Sequence, residues 1–222
     1  MGDDPGVDWN AKLEWAVAEH ERRRGVSAGE GERPDFPLTA VASASWAAGL
    51  AALMLGRRQE AAELLRRAAD EYRASWEIAP PDSWGRPIAA IRCRLIAGDE
   101  VGAHADADWA LGAGALPAAG PIKRYCGVLA LLVRGEDDAA EREAETLLTE
   151  ELEPRAVADA LLALARGDAE SYALAVRLVA ESFETRDAYL EDVPVADTVL
   201  VLQELARQRG LAVALHSPLL PV

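Results

Sequence analysis

A chain of 222 residues, 50% hydrophobic but only 5% aromatic, has the length to bury a sizeable core without disulfide staples. Its formal charge of -15 argues against nucleic acid or an anionic membrane as partner, because phosphate contacts need Lys and Arg clustered on one face. The apolar content is mostly Ala, Leu and Val, which favours closely packed helices over sheet.

Met1-Gly2-Asp3-Asp4 lacks the basic flank and apolar stretch of a signal peptide, and no run of about eighteen residues is apolar throughout, so a cytoplasmic location is expected. A first helix is predicted from Asp8, a good cap, to Arg24, with Trp9, Leu13, Ala16, Val17 and His20 on one stripe. Residues 25–37 mix glycine, proline and charge without periodicity and read as a linker. From residue 38 to 222 the pattern is that of one helical-repeat domain.

Four glycines stand at matching places in MLGRRQEAA, IAGDEVGAH, VRGEDDAAE and ARGDAESYA: Gly56, Gly98, Gly135 and Gly167. Three residues before them come Leu53, Leu95, Leu132 and Leu164, and seven before come Gly49, Ile91, Val128 and Ala160, on the same helix face. Five residues after each glycine come Ala61, Ala103, Ala140 and Tyr172. Nine after come Leu65, Ala107, Ala144 and Val176, and twelve after come Ala68, Ala110, Leu147 and Val179, a second helical stripe. Each unit therefore predicts a helix hairpin whose glycine adopts the left-handed conformation, with Asp99, Glu136 or Asp168 opening the next helix. A single hairpin cannot bury both stripes, so neighbours must stack. The glycine intervals of 42, 37 and 32 residues (98 minus 56, 135 minus 98, 167 minus 135) predict an irregular stack. A last helix is predicted from Pro194 or Val195 to Arg209, with Val195, Val199, Leu202 and Leu205 inward. The preceding connection, from Glu184 to Pro194, carries Glu191 and Asp192 and should be ordered, and the apolar tail LAVALHSPLLPV should lie extended on the bundle.

Residues with chemical potential are few. His104 and Asp108 of HADAD share a helix face with Asp106 to one side, short of the ligand set a metal site needs. His20 and His216 stand in no nucleophile motif, and no glycine-rich phosphate loop occurs. Cys93 and Cys126 lack the spacing of a metal knuckle or redox pair and read as buried thiols. The expectation is a non-enzymatic protein with no cofactor and no metal. Trp76 and Trp84 flank the loop EIAPPDS, where they either pack the loop or form a contact surface. The acidic stretch Glu136-Asp137-Asp138 is a second candidate surface, suited to a basic protein partner.

The unit from about Thr39 to Tyr72 resembles a tetratricopeptide hairpin through Gly49, Gly56, Ala61, Leu65 and Ala68. Farther on, PRAVADALLALARGDAESYALAVRLVAESFETRDAYL and VADTVLVLQELARQRGLAVALHSPLLP resemble the carboxyl end of the immunity protein 49 family of bacterial polymorphic toxin systems. The shared features include Gly210, the stretch Leu211 to Leu215, Ser217 and Leu220-Pro221, with Phe183 and Tyr189 where that family carries histidine and tryptophan. The resemblance implies a cytoplasmic antidote that binds and neutralises a cognate toxin, usually encoded beside it, and it brings no catalytic residues. A generic tetratricopeptide-like scaffold is the alternative reading.

Overall fold

A computed structural model describes residues 6–26 and 36–221; most of the predicted linker lies outside these. Among the described residues there are ten α-helices and no strand: α1 Trp9–Arg24, α2 Phe36–Met54, α3 Arg58–Trp76, α4 Gly85–Ile96, α5 Glu100–Gly112, α6 Pro121–Arg134, α7 Asp137–Leu147, α8 Ala156–Arg166, α9 Ala169–Glu184 and α10 Asp197–Arg209. The protein is an irregular stack of antiparallel helix hairpins.

The glycine register sets the hairpins. Gly56, Gly98, Gly135 and Gly167 all take positive φ, between 65° and 72°, and close the turns α2–α3, α4–α5, α6–α7 and α8–α9. Two of the following acids then cap: Asp99 accepts from the Gly102 N–H, and Asp168 from those of Glu170 and Ser171, whereas Glu136 occupies the cap position without a side-chain bond. All twelve residues predicted on the second stripe are at most 1 % exposed. On the first stripe Leu95, Leu132 and Leu164 are buried and Leu53 is half-buried.

Even-numbered helices α4, α6 and α8 touch one another as well as their hairpin partners, which makes them the inner face of the stack. Helix α10 lies on that face, against α4, α8 and α9. Its N-terminal end is fixed by the ion pair of Arg92 with Asp197, and its C-terminal end by Arg209, which donates to the Leu132 carbonyl at 2.6 Å and to Asp137 at 2.5 Å. Val199, Leu202 and Leu205 point inward as predicted, and Val195 is buried just ahead of the helix. The tail runs back along α10, since the Ala196 N–H donates to the Leu219 carbonyl at 2.9 Å, and its alternate residues Leu211, Val213, Leu215 and Leu219 pack on the core.

Helix α1 packs on α2. Asp8 caps it as predicted, and Leu13, Ala16 and His20 are buried, but Val17 is 40 % exposed. Because α1 is covered from one side only, its buried stripe is narrower than the sequence suggested. The connection after α9 is ordered: Arg23 donates both Nη atoms to Glu191, at 2.7 and 2.9 Å, and one of them to the Ala40 carbonyl at 2.9 Å. Residues Pro37–Met54 of α2 are long and apolar enough to cross a membrane, with hydropathy 1.4, and 67 % of that span is buried within the fold.

Candidate functional site

Hydrophobic burial leaves polar groups to be accounted for, and most of them are spent within the fold. His20, 2 % exposed, places Nε2 2.7 Å from Glu71 Oε1. Ser45, fully buried, donates to the other Glu71 oxygen at 2.6 Å and accepts from Arg67 Nε at 3.1 Å. The carboxylate therefore stands between imidazole and hydroxyl. No hydrogen bond joins His20 to Ser45, and the hydroxyl has no access to solvent, so this constellation fastens α1 to α2 and α3.

The residues of HADAD separate. Asp106 is buried, not at the side of a solvated face: Arg73 donates to it at 2.8 Å and Arg94 at 3.2 Å, from the preceding hairpin and from α4. Asp108 pairs with Arg134 of α6, and His104 is exposed. Among the described residues no group of three or more His, Cys, Asp or Glu is placed to hold a metal ion. Cys93 and Cys126 are free and buried. Burial pushes both thiols up, Cys126 to about 12, so neither is a ready nucleophile.

The loop tryptophans pack. Trp84 is 6 % exposed, with its ring 5.2 Å from that of Trp76, which in turn meets Trp109 edge-on at 5.8 Å. Arg73 lies over Trp109 at 4.8 Å and Lys123 over Trp84 at 5.0 Å. Of the two roles the sequence allowed, Trp84 takes the packing role and offers a partner almost no surface. In the acidic stretch, Glu136 receives Arg134 at 2.6 Å and Asp137 receives Arg209 at 2.5 Å, while Asp138 is exposed.

Further polar groups line a cleft on the inner face, between α4, the N-terminal ends of α6 and α8, and the first residues of α10. A cavity of 320 Å³ has apolar walls that include Ile88, Ile122, Leu152 and Val157. A smaller one of 190 Å³, with Trp46 and Tyr189 in its wall, adjoins it. Arg92, Arg186 and Thr198 line both, so the two form one cleft with a polar waist. Arg92 holds Asp197 and donates to Thr198 Oγ1 at 3.0 Å, but its buried Nε has no hydrogen-bond partner among the described residues. Tyr125, only 8 % exposed, lines the larger lobe, and its hydroxyl makes no hydrogen bond to any described residue. Burial raises its pKa, so the phenol stays protonated and is a donor. Arg186 is exposed, stacked 3.6 Å over the Phe183 ring, with no carboxylate partner among the described residues. No family model, curated protein or solved structure matches the chain.

Larger spaces occur elsewhere, and most of their charged groups are engaged within the fold, Arg58 and Asp159 being the exceptions. In a cavity of 470 Å³ between the Gly56 and Gly98 turns and α10, Arg207 is held by Glu100 and Glu204, and Gln203 by Tyr172 and Val213. In a groove of 350 Å³ on α8 and α9, Arg166 is held by Glu141 and Glu145, and Asp168 caps α9. Sequence reasoning did not single out Arg92, Tyr125 or Arg186. One signal was available: Arg92 interrupts the apolar run IAAIRCRLI of α4, where a charge must be paired or used.

Proposed function

We propose that this is a non-enzymatic, protein-binding helical-repeat protein, and specifically an immunity protein that neutralises a cognate toxin by covering it. The observation that carries the binding part is the inner-face cleft around Arg92, Tyr125 and Arg186, because stacked hairpins characteristically recognise partners on such a surface and here part of it is uncovered. The toxin part rests on the carboxyl-terminal resemblance to the immunity protein 49 family. An interface of standard size would bury roughly 1,600 Å² in total. The net charge of -15 favours a basic partner, with exposed acids such as Asp138 steering its approach.

Co-expression tests this reading: the adjacent open reading frame is expressed with and without the chain, host growth is scored, and the pair is co-purified over a salt gradient. A neighbour that kills alone, is silenced by this chain and leaves it at high salt supports neutralisation by a charged interface. A harmless neighbour, or one that kills regardless of the chain, overturns it.

A further inference from the structure

We infer that the 320 Å³ lobe of the cleft is a binding site for a small apolar carboxylate. The inference rests on reading the cleft as a binding surface, and not on the toxin reading. The volume lies within the range of small-molecule sites, and the lining has their usual composition, apolar walls with a few converging polar groups. Those polar groups fix the ligand's chemistry. Tyr125 Oη and the exposed Arg186 line the lobe with no acceptor among the described residues, and Arg92 Nε is buried without one. The acids beside them are two: Asp197, already held by Arg92 and Thr198, and Glu153 at the exposed rim. Donors thus outnumber free acceptors at the waist, and an oxyanion supplies what they lack. A carboxylate there would take charge-assisted bonds from Arg186 and the phenol, with its hydrocarbon body against Ile88, Ile122 and Val157.

A hydroxyl that lines the cleft and bonds nothing in the fold is free for a ligand, and this distinguishes a site from a packing residue. In a purely structural role, Tyr125→Phe removes a polar group that bonds nothing, and affinity for any acid is unaffected. In the proposed role the same substitution leaves the melting temperature unchanged or raised but weakens the acid about tenfold or more, as losing a hydrogen bond to a charged group does.

Isothermal titration of the full chain with 4-methylpentanoate, with its uncharged amide, and with N-acetyl-leucine as a stand-in for a peptide's end tests the proposal and its source. Saturable binding of 4-methylpentanoate but not of the amide, weakened about tenfold by Tyr125→Phe or Arg186→Gln and strengthened by Glu153→Gln, supports the site for a free acid. Binding of N-acetyl-leucine alone, with the same response to these variants, keeps the carboxylate site and assigns its ligand to a chain end. No binding of either acid, equal binding of the amide, or affinities indifferent to Tyr125→Phe overturns the proposal. Acid binding together with a harmless neighbour in co-expression would leave this site standing and remove the toxin reading, and the reverse pair of results would do the opposite.

Discussion

Around α2 the core is built largely of alanine, with Ala42, Ala47, Ala48, Ala51, Ala61 and Ala68 all at most 1 % exposed, whereas around α6 and α8 Leu129, Leu132, Leu161 and Leu164 fill the same role. Small residues bring helices close. At Gly49 an added Cβ would sit 2.6 Å from Leu65 Cγ and 3.3 Å from Leu65 N, so a side chain there would force Leu65 to shift. Less hydrocarbon per residue is then available for burial, and the amino-terminal region is tied together by polar bonds instead: His20 and Ser45 to Glu71, Arg67 to Ser45, Arg23 to Glu191. The carboxyl-terminal region buries larger apolar side chains. The two clusters meet at α4, which gives Ile88, Ile91 and Leu95 to one and Ala90 and Cys93 to the other. Apolar volume therefore stabilises one end of the stack, and close approach with hydrogen bonding the other.

The largest effect should come from cutting volume where volume matters. Leu132→Ala and Leu164→Ala should each cost about 2 to 5 kcal/mol in urea unfolding, through lost burial and a cavity that a close-packed neighbourhood fills only in part. Unfolding curves unchanged by both would show the hairpin register to be wrong. A smaller loss is expected at the other end from Glu71→Ala, about 1 to 3 kcal/mol, since His20 and Ser45 lose their shared acceptor. Hydrogen exchange sharpens the contrast: α1 amides should exchange faster in this variant while those of α6 to α9 keep their protection. Uniform acceleration across the stack would mean that the network does not act locally.

Gly49→Ala probes the close approach. Helix propensity alone would favour alanine by about 1 kcal/mol, but overpacking against Leu65 costs about 1 to 3 kcal/mol, so a net loss is expected. In a Leu65→Ala background the contacts with Cγ and Cδ2 are gone and only the backbone N at 3.3 Å remains, so the same substitution should cost less, a coupling that a double-mutant cycle reads directly. Additive effects would place the glycine's importance outside this contact.

The hairpins were legible because their signals are local. A glycine, a leucine three residues before it and small residues five, nine and twelve after fix turn, inner stripe and partner stripe without knowledge of the rest of the chain. Burial of Asp106 was not legible, since it depends on Arg73 and Arg94 arriving from the preceding hairpin and from α4. The cleft was hidden for the same reason: Arg92, Tyr125 and Arg186 belong to α4, α6 and the segment after α9, and no spacing connects them. Trp84 was legible in part: a tryptophan beside a proline-rich loop reads as packing or as contact surface, and its burial against Trp76 and Lys123 decides for packing.

The smallest expected effect is a pH slope at the start of α9. Asp168 accepts from the backbone N–H groups of Glu170 and Ser171, both at 3.1 Å, and from the Ser171 hydroxyl at 2.6 Å, and these bonds hold its carboxyl below the usual value. A carboxyl depressed on folding adds stability above its unfolded pKa and loses that contribution as pH falls through the folded value. Acid should therefore weaken this cap of α9, while Asp168→Asn, which can still cap but does not titrate, should flatten that part of the slope. Thermal unfolding of both proteins from neutral pH down through the carboxylate range measures it. Parallel slopes would mean that exposure to solvent screens the cap completely, leaving burial of Tyr172, Val176 and Val179 as what holds α9 on the stack.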